Sequence, residues 1–346
     1  MELDIFSFDL ALRYPFAISR HTYQSIQCFI VKLREGRHSG YGEATTNPYY
    51  QVTKENLNSS FEDARNFLRD YRFSDPAKLW SDIYTVLSSN SFAQSAIDCA
   101  AYDLFYKMKG ESFMSQWGIS HEKYPFTSYT LGIGTIDELK NKIKDLPWPV
   151  YKLKVSGVND SEIVEELREF TEALIRVDAN CSWEVDESEK FAIDLERWNV
   201  EFIEQPFGAN QFRESRLLTK NSSLPLIAYE SCRIIDDITK CRNSFDGINI
   251  KLSKCGGLTP ALSMLKMARE AGLSIMIGCM TESTVGISAA AQLLPFVDYA
   301  DLDGPLLLSE DVASGLTYKN GSLIPGKGNG LGFDFKGKKF TQSLPD

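Results

Sequence analysis

The sequence predicts an α/β protein: a (β/α) barrel of the TIM type with a smaller α+β domain ahead of it. Three observations predict it. First, seven short apolar runs lie at 149–156, 173–180, 200–206, 225–231, 247–254, 273–280 and 299–305, and each ends in one or two polar, mostly charged residues. Second, the markers Lys154, Asp178, Glu204, Glu230, Lys251, Gly278 and Asp303 recur every 21 to 27 residues. That spacing accommodates a strand, a loop, a helix and a return loop. Third, the stretches between the runs carry helical periodicity. Lysines and carboxylates repeating at strand ends point to an active site at one mouth of the barrel.

The first 45 residues read as antiparallel strands: 3–10 alternates, 28–34 is rich in β-formers, and 39–44 (SGYGEA) turns into a third. From Thr53 to Gly110 the pattern is helical. In 92–109, Ile97, Ala100, Ala101, Leu104 and Phe105 share a face whose alanines allow close packing. The barrel should open with a strand at 126–134. Helices are expected at 160–174 (Ile163, Leu167, Phe170 on one face), at 187–198 (Phe191, Leu195, Trp198), and at 259–271 with Thr259 as N-cap and Pro260 at the first helical position. The division is 1–124 for the α+β domain, 125–310 for the barrel and 311–346 for a glycine-rich tail packing back on the first domain. The glycines of that tail (Gly326, Gly328, Gly330, Gly332) do not follow a strand and open a helix, which argues against a phosphate-binding loop.

A chain of 346 residues that is 43% hydrophobic can bury a large core. Its net charge of −10, without a basic cluster, argues against nucleic-acid and anionic-membrane partners. No apolar run nears the length of a membrane span or resembles a signal peptide. The seven cysteines (Cys28, Cys99, Cys181, Cys232, Cys241, Cys255, Cys279) form no CxxC and read as small core fillers in a reduced, cytoplasmic protein. Barrels of this size often associate, which leaves room for a homo-oligomer.

Chemistry-bearing residues cluster at the run ends. Lys152 and Lys154 are two apart on a strand and face one side, so both ammonium groups enter the mouth. Like charges there should push at least one of them towards a usable base; the bland alternative is a solvated strand. Asp178 and Glu204 end adjacent strands, where buried carboxylates need a partner, either a shared hard cation such as Mg2+ or the neighbouring lysines. The three histidines (His21, His38, His121) lie away from these strand ends, which argues against a His-based zinc site or triad. Lys251, on the sixth strand counting from the one at 126–134, could face Lys154 across a substrate, one lysine on each side of a carbon. Asp301 and Asp303 form an electronegative socket suited to an ammonium, a second cation, or solvent.

YKLKV, RVDAN, EFIEQPF, INIKLSKCGG and YADLDGP resemble motifs of the enolase superfamily, muconate-lactonizing subgroup, and most closely its dipeptide epimerases. SGYGEAT and FAQSAIDCAAYDLFYKMKG resemble the same family's N-terminal capping domain, so the resemblance covers essentially the whole chain. It implies a small-molecule dipeptide substrate, epimerised at the α-carbon of its C-terminal residue by Mg2+-assisted 1,1-proton transfer. Lys154 and Lys251 would be the acid/base pair, with Lys152 on the substrate carboxylate. Asp178, Glu204 and Glu230 would be metal ligands, and Asp301 and Asp303 would hold the α-ammonium. Thr130, Cys279, Thr281 and Glu282 would line the site, and Arg20, beside His21, would belong to a specificity loop. One departure stands out: Tyr229 occupies the place where the family shows an Asp ligand. A neutral phenol is a poor Mg2+ ligand. Either Glu230 swings in against strand alternation, or two carboxylates hold the ion, or metal binding is lost. The alternatives are a sister activity (cycloisomerase, o-succinylbenzoate synthase, N-acylamino acid racemase), a Schiff-base barrel enzyme, or a non-catalytic dipeptide-binding protein.

Overall fold

The structure, a computed structural model, describes residues 1–18, 21–117, 124–157 and 160–337. Strands β1 (Glu2–Ile18), β2 (His21–Glu35) and β3 (His38–Thr45) form an antiparallel sheet, in which the β1–β2 register shifts between Ala11 and Phe16. Helices α1 (Lys54–Leu68), α2 (Pro76–Leu87) and α3 (Ser91–Lys109) cover it. The alanine face of α3 lies directly on β3. A Cβ on Gly42 would stand 2.0 Å from the Ala96 carbonyl oxygen, and one on Gly40 would stand 2.2 Å from that of Ala100, so these glycines set the approach. Residues on nearly every side of α3 are buried, because the barrel closes over the rest of it.

Eight parallel strands follow: β4 (Tyr129–Leu131), β5 (Val150–Lys154), β6 (Leu174–Asp178), β7 (Val200–Glu204), β8 (Leu226–Ala228), β9 (Gly247–Lys251), β10 (Ser274–Gly278) and β11 (Tyr299–Asp301). They pair in sequence order, and a bridge between Thr127 and Ala300 joins the two ends, with Ser128 N–H donating to the Ala300 carbonyl at 3.1 Å. The lower barrel is plugged. Phe202, Ile227 and Met276 pack together there, and the Arg176 guanidinium lies 5.3 and 5.4 Å from the ring centroids of Phe202 and Tyr299. Chemistry is thereby left to the C-terminal mouth.

The connecting helices are α4 (Ile136–Asp145), α5 (Asp160–Arg168), α6 (Val185–Arg197), α7 (Phe212–Asn221), α8 (Ile238–Cys241), α9 (Leu252–Cys255), α10 (Leu258–Glu270), α11 (Thr284–Ala291) and α12 (Gly304–Leu307). Three boundaries differ from the sequence reading. β4 is shorter than 126–134 because Ile133 leaves the ladder to hydrogen-bond the Ala17 carbonyl on β1. α5 stops at Arg168, whose guanidinium takes the carbonyls of Thr171 and Ala173, and Phe170 lies exposed beyond it. In α10 the N-cap is Gly257 (φ 120°), not Thr259; the Thr259 hydroxyl and N–H instead donate to Asp98 on α3, each at 2.8 Å.

That last contact is one of several that seat the cap on the barrel. Glu43 on β3 accepts from Ser283 N–H (2.9 Å) and Gly286 N–H (2.8 Å) at the start of α11, and Trp80 donates to the Gly256 carbonyl at 2.8 Å. Near the end of the described chain, Phe335 packs its ring on Phe6, Phe8 and Tyr41. Among the described residues no helix is long and apolar enough to cross a membrane, and all seven cysteines are free thiols.

Candidate active site

Strand register assembles the site as two arcs. Lys154, Asp178 and Glu204 are register partners across β5, β6 and β7. Lys251, Gly278 and Asp301 are partners across β9, β10 and β11. β8 is offset between them, with Ile227 paired to Glu204 on one side and to Gly247 on the other. Gly278 has no side chain for a steric reason: a Cβ there would fall 2.6 Å from Asn249 Oδ1 and 3.0 Å from Lys251 Cε.

In the first arc the lysines and carboxylates pair. Lys152 is almost fully buried and contacts Asp301, Glu204 (3.1 Å) and Asp178 (3.6 Å), while Lys154 bonds Asp178. Burial disfavours the Lys152 ammonium, but the charges of Asp301, Glu204 and Asp178 outweigh that and hold its pKa well above the ordinary lysine range. The like-charge depression expected for the KxK pair is therefore overridden at Lys152 by three carboxylates that sequence spacing does not reveal. Burial likewise opposes the charge of Asp178, yet Lys154 and Lys152 bring it down to about 2. In the second arc, Asp301 accepts from Ser128 Oγ (2.9 Å) and Asp303 from Thr130 N–H (2.7 Å). Burial and then the charge of Asp301 push Asp303 up to about 6.

The end of β8 departs from strand alternation. The Gln205 side-chain oxygen accepts from both Tyr229 N–H (2.9 Å) and Ser231 N–H (3.0 Å), which folds 229–231 into a turn. Tyr229 and Glu230 both line the cavity as a result. Glu230 lies beside Asn180, and its carboxyl is pushed up to about 7 by burial and then by the charges of Asp178 and Glu204. Three buried carboxylates within electrostatic reach of one another form an all-oxygen donor set, and the fully buried Asn249 Oδ1, whose amide nitrogen donates to Glu204 at 2.6 Å, takes no hydrogen bond. The chemistry of this set fits Mg2+, which Asp178, Glu204 and Glu230 would be the residues to hold. Among the described residues no three His, Cys, Asp or Glu side chains already surround a common ion position, because Asp178 and Glu204 are turned to the lysines.

Of the residues singled out from sequence, Lys152, Lys154, Lys251, Thr130, Cys279, Thr281, Asp301, Asp303 and Glu230 line one cavity under the cap. Asp178 and Glu204 lie fully buried outside that lining. Glu282 is also absent from it; burial and then the charge of Glu43 push it up to about 8 at the cap junction. Arg20 and the side chain of His21 lie outside the described residues. Sequence reasoning missed the cap-side wall, formed by Phe16, Tyr23, Ile26, Tyr49 and Tyr50 together with the polar Thr45, Thr46 and Asn47. The aromatic doublet in NPYY, just past β3, was the available signal. Among the described lining residues the only Lys or Arg are Lys152, Lys154 and Lys251.

Barrel, cap and paired strand-end charges together define an enolase-like protein. Residues 135–339 match the family model described as enolase C-terminal domain-like, and residues 1–116 match the mandelate racemase/muconate lactonizing enzyme N-terminal domain, so the chain belongs to that family. It is 44% identical to the L-Ala-D/L-amino acid epimerase of Flavobacterium johnsoniae, over 96% of this chain and 99% of that protein. A protein of the same description from Maribacter sp. is 43% identical over 94% of this chain and 96% of its own. A solved dipeptide epimerase of Cytophaga hutchinsonii, in complex with Mg and D-Ala-L-Val, superposes with a TM-score of 0.92 at 25% identity, covering 98% of this chain and 96% of that one.

Proposed function

We propose that this protein epimerises dipeptides at the α-carbon of the C-terminal residue, by proton transfer between Lys154 and Lys251. The observation that carries this reading is the convergence, in one cavity, of lysines from β5 and β9 with the Asp301–Asp303 pair. The substrate ammonium sits on Asp301 and Asp303, which fixes the dipeptide's orientation. Its carboxylate reaches the Lys152 ammonium, which the charges of Asp301, Glu204 and Asp178 keep protonated despite its burial. One lysine removes the α-proton, the electron pair is delocalised into the carboxylate, and the opposite lysine returns a proton to the other face. Asp178, Glu204 and Glu230 would hold Mg2+, which when bound would supply Lewis-acid stabilisation of charge on the carboxylate.

The cap-side wall narrows the substrate. Phe16, Tyr23, Ile26, Tyr49 and Tyr50 outnumber the uncharged polar Thr45, Thr46 and Asn47, and the wall offers no Lys or Arg among its described residues, so it suits an uncharged, apolar C-terminal side chain better than an acidic one. The test is α-proton exchange in D2O across an L,L-dipeptide library, with and without Mg2+, read by mass spectrometry. Metal-dependent deuterium uptake at the C-terminal residue, strongest for apolar side chains, is the expected result. Absence of exchange from every dipeptide at high Mg2+ overturns the reading.

A further inference from the structure

Tyr229 is the residue this site uses in an unforeseen way. Its backbone is held on two sides, by Gln205 at its N–H and by the Lys254 ammonium at its carbonyl (2.6 Å). Lys254 has no freedom to move, because it also donates to the carbonyls of Cys232 and Asn249, each at 2.9 Å. The phenol hydroxyl is directed at Met280 Sδ (3.7 Å) and borders Tyr50. Two lysines lie against this buried ring: Lys251 Nζ is 4.0 Å and Lys254 Nζ 4.4 Å from its centroid. Among the described residues Lys251 forms no salt bridge, whereas Lys152 and Lys154 both do.

We propose that Tyr229 is a positioning residue for Lys251, its ring holding the ammonium over the reacting carbon without competing for the proton. The inference rests on the two-lysine reading given above. A cation over an aromatic face is held electrostatically, and more firmly once water is excluded. A carboxylate in the same place would hold the ammonium by hydrogen bonds and accept its proton; the ring face does neither to comparable extent. Tyr229 thus supports the lysine, and its hydroxyl is not a metal ligand.

The test compares Tyr229→Phe with Tyr229→Leu. Lys154→Ala and Lys251→Ala first establish which substrate epimer each lysine deprotonates. Tyr229→Leu should slow α-proton exchange of the Lys251 epimer by about tenfold or more, leave the Lys154 epimer within about threefold, and act on kcat rather than KM. Tyr229→Phe should restore both to within about threefold. Mg2+ affinity by calorimetry should match wild type in both variants. Equal losses for both epimers, or loss of Mg2+ binding in Tyr229→Phe, overturns the proposal. A measurement free of turnover and of variant folding accompanies these: in protein labelled with 13C at lysine Cε, the Lys251 methylene, assigned with Lys251→Arg, should be shifted upfield by the ring current. An unshifted Lys251 signal overturns the proposal. An upfield signal in a protein that exchanges no dipeptide supports the ring contact and overturns the epimerase reading instead.

Discussion

The two lysine arms of the barrel mouth are built differently. On β5, Lys152 and Lys154 are embedded among Asp178, Glu204 and Asp301, and their charges stabilise the fold as well as facing the cavity. On β9, Lys251 rests on an aromatic ring beside a glycine; Asp301, Asp178, Glu282 and Lys254 lie within electrostatic reach, but among the described residues it forms no salt bridge. The difference separates two tasks. The first arm must keep acids and bases together out of water, which requires mutual neutralisation. The second arm needs only a defined position for one ammonium, which van der Waals and cation–π contacts supply.

The largest expected effect concerns what the arms share. Lys154→Ala and Lys251→Ala should each lower epimerisation by about a thousandfold, measured by chiral chromatography, with exchange of one epimer surviving in each. If both single variants still epimerise, the arms are not an acid/base pair. The next effect separates them. Lys152→Met leaves buried carboxylates without their cation and should cost about 3–5 kcal/mol in urea unfolding, in part recovered with Mg2+, whereas Lys251→Met should cost about 1 kcal/mol or less. Equal costs would erase the contrast.

A smaller effect tests the socket. Asp303, pushed up to about 6, gains a proton as the pH falls through that value and then offers the substrate ammonium one charge fewer. KM for the dipeptide should therefore rise below about pH 6, and Asp303→Asn should raise it at all pH values and flatten the dependence. The smallest effect lies at the cap junction. The folded Glu282 titrates at about 8, above its ordinary value of 4.5, so the folded state binds the extra proton between those values. Stability should fall as pH rises through that window and level off above it. Glu282→Gln should remove this slope and unfold about 1–2 kcal/mol later than wild type at pH 9.

The repeating strand ends were legible because Lys154, Asp178 and Glu204, and again Lys251 and Asp301, stand at matched heights on their strands, which a period of 21 to 27 residues exposes. The cap was legible from β-type runs in the first 45 residues followed by a helical pattern with an alanine face, while the partners of those alanines, Gly40 and Gly42 on β3, were not. The state of Lys152 was not, because its three acidic neighbours come from β6, β7 and β11 and only barrel closure brings them together. The β8 turn was equally hidden. Alternation predicts that Tyr229 and Glu230 face opposite ways, and a glutamine twenty-four residues earlier cancels it by taking two N–H groups at once. The Thr259 cap failed for the same kind of reason: its hydroxyl serves Asp98 in the other domain rather than its own helix.

The placement of Glu43 has a thermodynamic consequence. A carboxylate of the first sheet supplies the N-terminal hydrogen bonds of α11, and Asp98 does similar work ahead of α10, so the barrel's helices depend on the cap for part of their backbone satisfaction. Neither half can open without exposing unpaired groups in the other. The protein should therefore melt in a single calorimetric transition, and an excised barrel should lose cooperativity rather than persist as an independent folding unit.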